Sequence, residues 1–132
     1  MIPFGPQLIG ETEKTLGAVL ERSLAGTGLT ERDWVTLRVA ELFDGSVDHN
    51  GLVAAVADRA HFAHADELVC GLADRGLLDD GRLSRAGRDV IETVRASIDT
   101  AALIWDGFDP DDVAATTRVL NELRNRARAV LS

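Results

Sequence analysis

Between Gly76 and Ser84 the chain carries its clearest strand signal: Leu77-Leu78, Asp79, the pair Asp80-Gly81, then Arg82-Leu83. Asp-Gly is a favoured pair for the tight type I′ turn, whose two central residues both need positive φ. The spacing predicts a minimal hairpin, too short to anchor a larger sheet. Helix-period patterns occupy most of the remaining chain, so the fold must be mainly α with this hairpin set into it.

Leu8, Thr12, Leu16, Val19 and Leu20 recur at three- and four-residue spacing and predict a helix over about 6–24. Gly10 and Gly17 weaken it by roughly 1 kcal/mol each relative to alanine, a loss that close packing on another helix would offset. Gly26-Thr27-Gly28 breaks the pattern. Thr30 then caps a second helix, with Asp33 as a capping-box variant and Leu29 and Trp34 placed for a hydrophobic staple. Trp34, Leu37, Val39 and Leu42 follow on. The staple recurs as Val47 and Leu52 around Asp48, and as Phe108 and Val113 around Asp109, where Pro110 takes the favoured first helical position.

A short helix over 48–59 leads through a polar turn into another over 64–75, closed by Gly76 as its C′ residue. Ser84 caps a long helix carrying Ala86, Val90, Val94, Ile98, Ala101 and Trp105. The last helix, over 110–131, carries Val113, Thr117, Leu120, Leu123, Ala127 and Val130. Two helices, a helix–turn–helix, a tight hairpin and two long helices make the winged-helix order. The apolar stripes of the first and the last two helices exceed what a small winged unit can cover, and they predict a two-fold homodimer.

Formal net charge is −8 and the pI is about 4.7. DNA affinity comes largely from Lys and Arg against phosphates, so DNA binding here requires a locally basic patch. Cys70 is the only cysteine, which fits a reducing, cytoplasmic setting. No run approaches the ~18 apolar residues of a membrane span, and residues 1–10 lack the basic-then-apolar pattern of a secretory leader. No nucleophile–base pair, phosphate loop or paired-carboxylate motif stands out, so neither an enzyme nor a cofactor is expected.

Four stretches carry a family resemblance. Leu29-Thr30-Glu31-Arg32-Asp33-Trp34-Val35-Thr36-Leu37 resembles the opening of the second helix in MarR-type regulators. The run Leu68-Val69-Cys70-Gly71-Leu72-Ala73-Asp74-Arg75-Gly76-Leu77-Leu78 is similar to the end of their recognition helix and first wing strand. Leu83-Ser84-Arg85-Ala86-Gly87-Arg88 matches the motif that follows their wing, and Asp109-Pro110-Asp111-Asp112 sits where their last helix begins. The resemblance spans nearly the whole chain. It implies a single MarR-like domain over 1–132, with a winged helix–turn–helix over about 30–84 and dimerisation helices over about 6–25 and 84–131. It implies a homodimeric transcription regulator that binds double-stranded DNA and often answers to a small phenolic or lipophilic ligand. The alternative is a degenerate winged-helix dimer that binds a small molecule or protein and not DNA.

On that resemblance the DNA-facing candidates are His61, His64, Asp66 and Glu67 on the recognition segment, and Arg82, Arg85 and Arg88 beside it. The three arginines are the nearest basic cluster and would contact phosphates. Segment 61–76 carries Asp66, Glu67 and Asp74 against Arg75; carboxylates there can accept from cytosine N4 but repel phosphates. The hairpin offers only Arg82 as a cation, so a basic tip in the minor groove is not expected. Trp34, Arg38 and Trp105 are the ligand-pocket candidates, with Arg38 poised for a carboxylate; core packing is the competing role for the aromatics. His61-x-x-His64 with Cys70 and Asp66 has metal-like spacing but lacks a second Cys or His cluster, so no metal site is expected. Cys70 lies opposite the Leu68/Leu72 stripe, which predicts exposure, and its acidic neighbours argue against a redox switch.

Overall fold

A computed structural model describes residues 1–100 and 104–132. It divides into two compact units, Met1–Asp99 and Thr100–Ser132. The described elements are α1 (Pro6–Leu24), α2 (Glu31–Phe43), α3 (His49–Ala60), α4 (Ala65–Asp74), β1 (Leu78–Asp79), β2 (Arg82–Leu83), α5 (Arg85–Thr100) and α6 (Pro110–Leu131). The protein is mainly helical, with one two-stranded antiparallel hairpin. Among the described residues no helix is long and apolar enough to cross a membrane.

The helix boundaries follow from local chemistry. Thr30 Oγ1 accepts from the Asp33 N–H at 3.1 Å while Asp33 Oδ2 accepts from the Thr30 N–H at 3.0 Å, a complete capping box. Leu29 and Trp34, the staple pair around it, are both buried. Asp48 starts α3 by accepting from the Gly51 N–H at 2.8 Å. α4 closes in a Schellman motif: the Leu77 N–H donates to Leu72 O and the Gly76 N–H to Ala73 O, both at 3.0 Å. Ser84 Oγ accepts from the Gly87 N–H at 3.0 Å and donates to Gly76 O at 2.6 Å, so one hydroxyl opens α5 and ties it to the end of α4.

The hairpin pairs Leu78 with Leu83 and Asp79 with Arg82. Asp80 (φ 47) and Gly81 (φ 83) both take positive φ, as the I′ turn requires. Gly81 is also wedged against the preceding loop: a Cβ there would lie 2.4 Å from Asp48 O. Gly87 has the same constraint, since a Cβ would lie 2.2 Å from Leu77 O. That approach explains the glycine in the motif after the hairpin.

The core of the first unit is a single cluster. Leu37, Leu52, Val56, Val69, Leu72, Ile91 and Val94 are almost fully buried, contributed by α2, α3, α4 and α5. α3 packs on α4, α2 packs on both, and β1 and β2 lie against α4 and α2 respectively. Burying each Leu or Val contributes roughly 1.5–3 kcal/mol. Among the described residues Thr36 is the one buried polar residue, and its hydroxyl donates to Arg32 O at 2.8 Å.

Three expectations need correction. Leu42 belongs to the periodic set of α2 but is exposed. Trp105 does not extend the apolar stripe of α5: it lies in a turn and is exposed. Gly107 at φ 86 and the extended Asp109 before Pro110 commit this segment to a connection. Phe108 and Val113 stand exposed around the cap of α6. The expected stripe position Ala101 lies outside the described residues.

In the second unit, Asp109 Oδ1 accepts from the Asp111 N–H at 2.8 Å and opens α6. Val113, Leu120, Leu123 and Val130 along this helix are exposed.

Candidate nucleic-acid interface

α4 is seated by one face. Ala65, Val69 and Leu72 are buried, while Asp66, Glu67, Cys70 and Asp74 are exposed. At 3.6 residues per turn those four exposed positions fall within an arc of ~100°. The arc carries three carboxylates and a thiol, and α4 contains no Lys or Arg. The exposed helix face is therefore strongly acidic.

The turn before α4 is held from α2. Arg32 Nη2 donates to Ala63 O at 2.6 Å, and its guanidinium lies 4.8 Å from the Phe62 ring centroid. His61 ends α3 at φ 55 and His64 precedes α4 at φ 59, both left-handed and exposed. His64 caps α4 without a side-chain hydrogen bond. The two histidines thus stand at the ends of the turn. Asp66 and Glu67 occupy the first turn of α4, where the helix dipole favours acidic side chains.

Arg75, the cation next to this face, is turned away. Its Nη2 donates to Gly28 O at 3.2 Å and its Nη1 lies 3.5 Å from Asp33 Oδ2. It ties the end of α4 to the start of α2.

Two of the three expected phosphate anchors, Arg82 and Arg88, share a cleft. Arg82 lies over Gly45, and Arg82 and Arg88 line a cleft of about 220 Å³ with Ala40, Glu41, Asp44, Gly45 and Leu83. No α4 residue lines that cleft. Arg85, exposed at the start of α5, is not among its lining residues. The hairpin turn is not a free tip either: Asp80 Oδ1 accepts from the His49 N–H at 3.1 Å, which docks the turn on the first turn of α3.

Of the pocket candidates, Trp34 is buried in the core of the first unit. The Arg38 guanidinium stands 6.0 Å from the Trp34 ring centroid, and its Nη1 donates to Glu41 Oε1 at 2.6 Å. Glu41 also accepts from Arg95 Nη2, at 2.8 and 3.1 Å, and so joins α2 to α5. Arg38 already has a carboxylate partner in this arrangement. Trp105 belongs to the second unit.

One pair was not visible in the sequence. Cys70 Sγ lies 3.7 Å from His49 Nε2. The residues are 21 positions apart, on different helices, and only the α3–α4 packing brings them together. Cys70 is exposed, as its position opposite the stripe predicts.

No family model matches the chain, and neither a curated protein nor a solved structure matches it.

Proposed function

We propose that this chain is a winged helix–turn–helix transcription regulator of the MarR type, a cytoplasmic homodimer that presents α4 and the adjoining hairpin to double-stranded DNA. The observation that carries this reading is the continuous run of α3, turn, α4, Schellman end, I′ hairpin and Ser84-capped α5, with α4 seated by one face and free along the other. A helix offered that way can enter a major groove. Homodimerisation is supported by the exposed apolar side chains Val113, Leu120, Leu123 and Val130 of α6, which recur on one helical face and lack cover.

The acidic face of α4 favours a second reading. There the same winged-helix dimer binds a protein or a small molecule and no longer binds DNA. Asp66, Glu67 and Asp74 would all repel phosphates, and Arg75 is occupied by Asp33 and Gly28.

A fluorescence anisotropy titration against the DNA upstream of its own gene, at ~50 mM salt, separates the two. Phosphate contacts strengthen steeply as salt falls, so saturable binding there supports the regulator. No binding at that salt rejects it in favour of the second reading.

A further inference from the structure

The cleft at the end of α2 holds two guanidiniums that the fold leaves unspent. Arg82 and Arg88 both line it, and among the described residues neither has a hydrogen bond or an ion pair. Acceptors stand close to both. Asp79 is opposite Arg82 in the hairpin register, and Glu92 is one turn beyond Arg88 on α5. Arg82 instead lies against the backbone of Gly45, where a Cβ would be 2.5 Å from its Nε and 2.9 Å from its Nη2. Gly45 also takes φ 77, so both its backbone and its neighbour demand a glycine.

The rest of the lining decides what such a pair can hold. Ala40 and Leu83 are buried and form its apolar part. Glu41 lines the cleft too, but its carboxylate already accepts from Arg38 and Arg95. Asp44 carries the one lining carboxylate without a partner among the described residues. Arg38, Arg82, Arg88 and Arg95 thus outnumber Glu41 and Asp44, and the site is net positive on a chain of formal charge −8. Guanidiniums present rigid forks of N–H donors that match phosphate oxygens. The cleft holds about 220 Å³, below the ~300 Å³ at which drug-sized pockets begin.

We propose that the Arg82–Arg88 cleft is a binding site for a small, dianionic phosphate monoester. The phosphate accepts from both guanidiniums, and a short apolar carrier packs on Ala40 and Leu83. A DNA backbone also presents phosphate, but as a monoanionic diester, and no residue of α4 lines the cleft. The site therefore goes beyond the DNA reading and stands whether or not a duplex is bound.

The test follows the backbone amides of the full chain by NMR while methyl phosphate, and separately dimethyl phosphate, is added at fixed ionic strength. At about pH 8 the first is a dianion, because the second ionisation of a phosphate monoester lies near pH ~6, and the second is a monoanion. The amides of Gly45, Arg82, Leu83 and Arg88 should shift saturably with methyl phosphate, at a dissociation constant of about 1 mM or below. Dimethyl phosphate should bind about tenfold more weakly, having lost one charge from its charge-assisted hydrogen bonds. Arg82→Gln should weaken methyl phosphate by about tenfold or more, with unchanged amide positions away from the cleft. Arg85→Gln, next to the cleft but outside its lining, should leave the affinity alone. Asp44→Asn should tighten it severalfold, because a like charge leaves the site.

Failure to saturate by ~20 mM methyl phosphate overturns the proposal, and that measurement needs no variant to fold. So does an Arg85→Gln loss equal to that of Arg82→Gln, which would reduce the effect to general attraction by a cationic surface. Equal affinity for the two probes would give the cleft to a phosphodiester backbone and overturn the monoester assignment.

Discussion

Asp80 and His49 are 31 residues apart, and the carboxylate of the first accepts a 3.1 Å hydrogen bond from the backbone N–H of the second. The bond satisfies one of the amides left open at the start of α3 and fixes the hairpin turn against that helix. Asp80 also holds a left-handed backbone, φ 47. Asp80→Ala should therefore destabilise the first unit by about 1–2 kcal/mol, from the lost bond and the poorer left-handed residue. Asp80→Asn keeps an acceptor and tolerates the same φ, and it should cost less than half as much. Urea melts of the two variants check the difference; equal losses would mean that the bond contributes nothing.

Two glycines should respond in opposite directions to alanine. Gly87→Ala would drive a methyl to 2.2 Å from Leu77 O, and the backbone contact cannot yield as a flexible side chain could. A loss of about 3 kcal/mol is expected, the upper part of the overpacking range. Gly71 sits inside α4 with nothing within 4 Å of the added carbon. Gly71→Ala should stabilise by roughly 0.5–1 kcal/mol through helix propensity alone. Thermal melts of the pair provide the check.

If DNA is bound, Arg85→Ala with Arg88→Ala should weaken binding to every sequence and lower the slope of log K against log salt by about 2. Asp66→Asn with Glu67→Gln should raise non-specific affinity, because two like charges leave the α4 face. Titrations at four salt concentrations measure both effects. An unchanged slope in the arginine variant would move the DNA surface away from the start of α5.

For assembly, light scattering at micromolar concentration should return twice the 14.2 kDa chain mass. Replacing Leu120 and Leu123, both exposed on α6, with Glu should shift the mass toward the monomer. A parent protein that runs at the single-chain mass would remove the homodimer from the proposed function.

Much of the architecture was legible in order along the chain. Thr30 with Asp33, Asp48 with Gly51, Ser84 with Gly87, Gly76 after α4 and Asp80-Gly81 in the hairpin all act on backbone groups within a few residues of themselves. Such signals need no knowledge of the rest of the fold, and they located the helices and the turn. The burial of Leu37 and Leu72 was written in their helical spacing for the same reason, whereas Val69, not in the Leu68/Leu72 stripe, is buried and Leu68 only half so.

The candidate site was less legible, because long side chains choose partners across the fold. Spacing grouped Arg82, Arg85 and Arg88, and the fold brings Arg82 and Arg88, but not Arg85, to the lining of a cleft at the end of α2. Arg75 looked like the one cation of the recognition segment, and tertiary packing gave it to Asp33 and Gly28. The proximity of His49 to Cys70 exists only because α3 and α4 pack together, so no motif announces it. Local hydrogen bonds and apolar periodicity, encoded within a few residues, determined which elements form. Which charged and reactive groups share a surface was decided only when those elements met.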